Sequence, residues 1–287
     1  MAEIPREELD EIFAFAVQLG KQAGRMLTDA ARLRMGDARA SGEQKEHVQK
    51  ENAVDLVTET DEGTVNYIHL FPMFCVSIAF IHKSIPLIGI INAPFLNQFF
   101  SSCSGRGAWL NGTQPLPSIR NPIPPMPEKA PSGCIFSCEW GKDRRDNPDS
   151  NMHRKVESFV NMASEVGGRQ GKGGMVHGVR SLGSATLDLA YVAMGAFDIW
   201  WEGGCWEWDV AAGIAILLEA GGLITTANPP KDEDTAPIED VQLGSRLYLA
   251  IRPAGDSPTE TGRQGQERTV REVWKRVRNL DYSRPGA

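Results

Sequence analysis

A chain of 287 residues, 41% hydrophobic and 23% charged, has the make-up of a globular protein with an ample core. Its net charge of −7 argues against a nucleic-acid partner, which needs a basic stripe, but allows a phosphate ester wherever a bound cation supplies local positive charge. Five scattered cysteines, odd in number and without metal-type spacing, point to reduced thiols in a cytoplasmic compartment.

The N-terminus carries no secretory apolar core, and no run is long enough to span a bilayer, so no membrane partner is expected. Pro5 suits a first helical turn. Leu9, Ile12, Phe13, Ala16, Ala23, Leu27 and Ala30 then recur at helical spacing, which predicts a long amphipathic helix. Glu7, Glu8, Asp10 and Glu11 on its polar face argue against a membrane-surface role. Residues 36–53 are polar and read as a loop. Asp55 to Thr58 is a short strand entering an acidic turn, Glu59-Thr60-Asp61-Glu62, and Gly63-Thr64 leads on to Phe71-Pro72.

Phe74, Val76, Ile78 and Phe80 alternate as a strand should, and Pro86 to Ile91 makes a second one. Pro94 to Gln98 turns the chain and Phe99 to Ser102 returns it. Gly105-Arg106-Gly107 and Asn111-Gly112 read as turn glycines, with a phosphate cradle as the weaker alternative. Residues 115–131 hold seven prolines and form a loop or semi-rigid spacer. Cys134 to Cys138 is a buried strand, and Met152, Val156, Phe159, Val160 and Ala163 mark a helix. Ser184 caps a helix through Leu187, Leu189, Tyr191 and Met194, with Arg180 upstream suited to pairing with a buried carboxylate. Leu223 to Thr226 and Arg246 to Ile251 are strands, and Arg268 to Leu280 a terminal amphipathic helix. One domain over 1–287 accounts for these elements, residues 228–287 forming a C-terminal extension.

The densest chemistry lies in Trp200-Trp201-Glu202-Gly203-Gly204-Cys205-Trp206-Glu207-Trp208-Asp209-Val210-Ala211-Ala212-Gly213. Asp209 falls where an apolar helix through Ile214, Ile216, Leu217 and Leu218 should begin. An Asp there accepts backbone N–H groups and is favoured by the helix dipole. The same carboxylate could ligate a hard cation at a glycine-lined helix mouth. Ala211, Ala212 and Gly213 leave room for something to approach the first turn, and Glu202 lies seven residues upstream.

This stretch resembles the C-terminal motif of the inositol monophosphatase family, a Trp-Asp-Val-Ala-Ala-Gly run with a Glu seven residues earlier. The Asp55-Leu56-Val57-Thr58…Asp61 element, the Gly105 to Gly112 hairpin and Gly183-Ser184-Ala185 resemble further family segments. The resemblance implies a layered αβαβα sugar-phosphatase fold, Mg²⁺ as cofactor and a homodimer as the assembly. It implies Asp209 and Glu62 as metal ligands, Asp61 and Thr64 as the groups preparing the attacking water, and Gly63 and Thr64 as phosphate holders. Gly183, Ser184, Ala185 and Glu202 would meet the polyol. The Pro-rich spacer, the tryptophan cluster and the C-terminal extension resemble the fungal quinate-utilisation branch. One part departs from the pattern. Between Asp61 and Gly63 the family's Gly-Glu-Glu and Asp-Pro-x-Asp motifs, with most of its metal ligands and part of the N-terminal sheet, have no counterpart.

Three expectations follow. The first is a Mg²⁺-dependent phosphomonoesterase for inositol monophosphate or a similar small polyol phosphate, written without one segment through an exon or gene-model loss. The second is a non-catalytic member that binds sugar phosphates or regulates. The third is a phosphatase of a nucleotide phosphate or sugar bisphosphate.

Overall fold

Glu7 and Glu8 open the first helix, α1 (Arg6–Ala40), where the helix dipole favours negative charge. The computed structural model describes residues 4–40, 65–141 and 143–283. α1 continues to Ala40, into the stretch expected to be a loop from residue 36; the rest of that loop lies outside the described residues. The α1 stripe of Leu9 and Ala16 packs on Ile88 and Ile90, and that of Leu27 and Ala31 on Phe74 and Val76.

Val76, Ile88 and Ile90 belong to an antiparallel five-stranded sheet in chain order, with Phe74 just ahead of its first strand: β1 (Val76–His82), β2 (Ile85–Ala93), β3 (Gln98–Cys103), β4 (Ala108–Leu110) and β5 (Gln114–Pro115). The β4–β5 turn places Asn111 at φ 53° and Gly112 at φ 70°, the left-handed pair a tight hairpin requires. The Asn111 side chain also accepts from Phe99 N at 2.9 Å. Gly105 N and Gly107 N donate to the Glu219 carboxylate at 3.0 and 2.8 Å. The phosphate-cradle alternative at these glycines therefore gives way to an internal carboxylate.

The second sheet runs β7-β6-β8-β10-β9. β6 (Ile135–Ser137) is parallel to β7 (Gly178–Arg180) and to β8 (Ile199–Gly203), whereas β10 (Leu247–Ile251) is antiparallel to β8 and to β9 (Leu223–Thr225). Two helices fill the space between the sheets, α4 (Ala185–Met194) and α5 (Glu207–Glu219). Leu187, Leu189, Ile214, Ile216 and Leu217 meet Ile91 and Phe100 of one sheet and Trp200 and Tyr248 of the other. Outside the second sheet, α3 (Asn151–Ala163) and α6 (Gly262–Trp274) cover Phe136, Trp201, Leu249 and Ile251. Helix, sheet, helices, sheet and helices give the expected αβαβα layering. A four-residue helix, α2 (Val65–Ile68), precedes β1.

Two expectations change. The small residues of α5 do not leave an opening, because the fold itself uses the space. A Cβ on Gly89 of β2 would lie 2.2 Å from the Ala212 carbonyl oxygen, and one on Gly213 would lie 2.6 Å from Leu189 Cβ. The last helix spans Gly262–Trp274 rather than 268–280. Thr261 and Gln264 form a reciprocal capping box that starts it early, and Val277 and Leu280 are buried beyond its end.

Residues 115–131 are fastened as well as proline-rich. Arg252 pairs with Asp198 at 2.6 Å and donates to the carbonyls of Pro124 and Pro125 at 2.9 and 2.8 Å. Among the described residues no helix is long and apolar enough to cross a membrane.

Candidate functional site

The parallel strands β6, β7 and β8 end at one edge of the second sheet, beside the first turns of α4 and α5. Strand carboxyl ends flanked by helix N-termini are where ligands bind in α/β sheets, since first-turn N–H groups lack intrahelical acceptors. Gly183, Ser184, Ala185, Glu202 and Asp209 all gather there. Thr186 Oγ donates to the Asp209 carbonyl at 2.7 Å, joining the two helix starts.

Ser184 caps α4, its hydroxyl accepting from Leu187 N at 3.4 Å. Gly183 has φ 72°, a conformation that favours glycine, and this turns β7 into the helix. Glu139, just past β6, organises this loop. Its carboxylate accepts from Leu182 N at 2.6 Å, Gly183 N at 2.8 Å and the Ser181 hydroxyl at 2.7 Å. From the other side, Asn66 Nδ2 donates to the carbonyls of Leu182 and Gly183 at 2.8 and 3.2 Å and to that of Met73 at 2.7 Å. Asn66 thereby docks the short α2 on the same loop. Asp61, Glu62, Gly63 and Thr64, immediately upstream of α2, lie outside the described residues.

Glu202 is the next-to-last residue of β8 and only 2% exposed. Its Oε1 pairs with Lys155 Nζ and accepts from Gly203 N at 2.8 Å, while Oε2 accepts from Glu139 N at 2.8 Å. Both oxygens are thus engaged within the protein, where the sequence suggested a ligand hydroxyl. Burial pushes the Glu202 carboxyl upward and the Lys155 charge opposes it. For Lys155, burial is the largest influence and acts downward, but Glu202, Cys138 and Tyr282 together hold the ammonium above its ordinary value.

Asp209 is not the helix cap. α5 starts at Glu207 with Trp206 as the capping residue, and Asp209 reaches back from the third helical position to accept Trp206 N at 2.8 Å. The expected helix-start role is kept, two residues further in. Trp206 and Trp208 stack at 5.1 Å, and the Arg246 guanidinium lies 4.0 Å from the Trp206 ring centre. Arg180 donates to its neighbouring Val179 carbonyl at 2.9 Å, and no carboxylate partner for it is found among the described residues.

Magnesium needs several oxygens in near-octahedral array. Among the described residues no cluster of three or more His, Cys, Asp or Glu could hold a metal ion. Asp209 alone does not make such a site, so the described donor set does not fit the cation.

Glu139, Lys155 and Asp188 were missed by sequence reasoning. Asp188 is fully buried on α4, its Oδ1 accepting from the Ser137 hydroxyl at 2.6 Å, while no donor reaches its Oδ2. Burial, and then the neighbouring Glu139 charge, push its carboxyl well above the usual range. Lys155 carried a legible signal. It shares the helical stripe of Met152, Phe159 and Met162, and a lysine in an apolar stripe needs a buried counter-charge.

The family model for the Inositol monophosphatase family matches residues 63–278. Quinic acid degradation cluster protein x of Neurospora crassa is 60% identical over 334 positions, covering 98% of this chain and 97% of that protein. Protein qutG of Emericella nidulans is 59% identical over 330 positions, with 98% of each covered. Inositol monophosphatase 2 of Saccharomyces cerevisiae is 34% identical, with 80% and 70% covered. Among solved structures, inositol monophosphatase from Anabaena superposes with a TM-score of 0.61 at 24% identity, over 95% of this chain and 98% of that one. The alignment lengths add a fact. As 98% of 287 residues is about 281, the 334 positions shared with the Neurospora protein include about 53 that face no residue here.

Proposed function

Since the chain belongs to the inositol monophosphatase family, we propose that it serves quinate metabolism as a sugar-phosphate-binding, regulatory member rather than as a competent hydrolase. The ligand is a small phosphorylated polyol, its phosphate directed at the N-termini of α4 and α5. The roughly 50 unmatched positions carry this reading. The family match begins at residue 63, and the acidic motifs expected between Asp61 and Gly63 are those a cation would need. The described carboxylates are otherwise engaged: Glu139 with a loop, Glu202 with a lysine, Asp209 with its own helix start. The names of the two fungal relatives support the metabolic setting.

A Mg²⁺-dependent phosphatase acting on inositol monophosphate is the second reading, favoured by the yeast relative's name and by Asp209 at the start of α5. One comparison separates the two. The 287-residue protein and a version carrying the Neurospora segment between Asp61 and Gly63 are assayed for phosphate release from inositol monophosphate with Mg²⁺. The chain as it stands should be slower by about 100-fold or more, the scale of losing one electrostatic stabiliser of a transition state. It should still bind the ester by calorimetry. Comparable turnover by both proteins would overturn the binding-protein reading.

A further inference from the structure

The family match ends at residue 278, yet the next residues continue across the candidate site. They are held at every step. Arg154 donates to the Asn279 carbonyl at 3.2 Å. Asn228 exchanges two hydrogen bonds with the Leu280 backbone at 2.8 and 2.9 Å, and Asn151 two with that of Asp281 at 2.7 and 2.8 Å. Arg246 closes the run on the Ser283 carbonyl at 2.8 Å.

This fastening places Tyr282 over the ends of β6 and β8. Its ring lies in a slot that three glycines leave open. A Cβ on Gly203 or Gly204 would come within 2.9 and 2.8 Å of ring carbons, and one on Gly141 would lie 2.8 Å from the phenol oxygen and 2.9 Å from Lys155 Nζ. Lys155 Nζ and the Arg246 guanidinium stand 5.8 and 5.7 Å from the ring centre. Tyr282 therefore covers the Lys155–Glu202 pair, and the carboxylate beneath it is withdrawn from the surface. A carboxylate at a strand end beside two helix N-termini is well placed to accept from a ligand hydroxyl. Here that acceptor is closed.

We infer that Tyr282 is a specificity-determining residue: by roofing the Lys155–Glu202 pair it removes a hydroxyl acceptor, so that the site grips its ligand by the phosphate and does not select for a hydroxylated ring. The inference rests on the reading that a phosphorylated polyol binds at the starts of α4 and α5.

The test compares binding of myo-inositol 1-phosphate and glycerol 2-phosphate, an ester without a ring, to the full chain by calorimetry. The wild type should hold the two with similar affinity. Tyr282→Ala should favour the inositol ester by about 10-fold, the value of one hydrogen bond to a charged group. Adding Glu202→Gln should cancel that gain, and Tyr282→Phe, which keeps the ring, should behave as wild type. If Tyr282→Ala does not fold, Tyr282→Val, which fills part of the slot but is too short to reach over the pair, carries the same expectation. Unchanged selection in a folded variant overturns the role of Tyr282 while leaving the site reading intact. Failure of either ester to bind any of the proteins overturns the site reading and this inference with it.

Discussion

Lys155 on α3 and Glu202 at the end of β8 form an ion pair whose side chains are 0% and 3% exposed. Lys155 Nζ also donates to the carbonyls of Glu139 and Gly203 at 2.9 and 3.3 Å, so the pair ties the outer helix layer to the ends of two strands. Removing one member of a buried pair strands the other charge, at a cost of about 3–5 kcal/mol. Lys155→Met should lose that much in urea unfolding. Combining it with Glu202→Gln, which keeps an acceptor without the charge, should recover most of the loss. A cost below about 1 kcal/mol for Lys155→Met would mean that the pair behaves as a solvated surface bridge.

Asp209 gives a smaller, local effect. Its bond to Trp206 N and its charge both stabilise the start of α5. Asp209→Ala should therefore cost about 1 kcal/mol in thermal unfolding, and Asp209→Asn, which keeps the acceptor, about half as much. Because the described donors do not complete a cation site, added Mg²⁺ should move the melting temperatures of wild type and Asp209→Asn equally. A shift confined to the wild type would place a bound cation on Asp209.

Asp188 makes stability depend on pH with a definite sign. Its carboxyl is held well above the ordinary range, by burial first and then by Glu139, so the folded chain keeps a proton that the unfolded chain releases above about pH 4. The stability this proton contributes is complete below that unfolded value and is lost as pH rises towards the folded one. In this window wild type should lose about 1.4 kcal/mol per pH unit relative to Asp188→Asn, whose amide needs no proton. Urea unfolding of both proteins from pH 4 upward reads the slope directly. Parallel profiles would mean that Asp188 is ionised in the folded protein.

Several elements were legible from residue order because their causes are local. The β4–β5 turn is written in Asn111-Gly112, the start of α4 in Ser184, and the stripe of α1 in the recurrence of Leu9, Ala16 and Leu27. The last helix was misplaced because Val277 and Leu280 continue an apolar pattern outside the helix. Burial alone does not distinguish a helical turn from a packed loop.

The sequence by itself determined the two helix starts, at Gly183-Ser184 and at Trp206 to Asp209, because capping is local, and its motifs carried the family resemblance that implied the αβαβα layering. Only the tertiary structure decided how the carboxylates are used. Glu139 and Leu182 are 43 positions apart, Lys155 and Glu202 are 47, and Tyr282 lies far along the chain from Gly141. Whether a carboxylate faces a ligand, a lysine or a backbone amide depends on which strand ends come together. Chain spacing carries no record of that, because burial makes a charge take whichever partner the packing brings within reach.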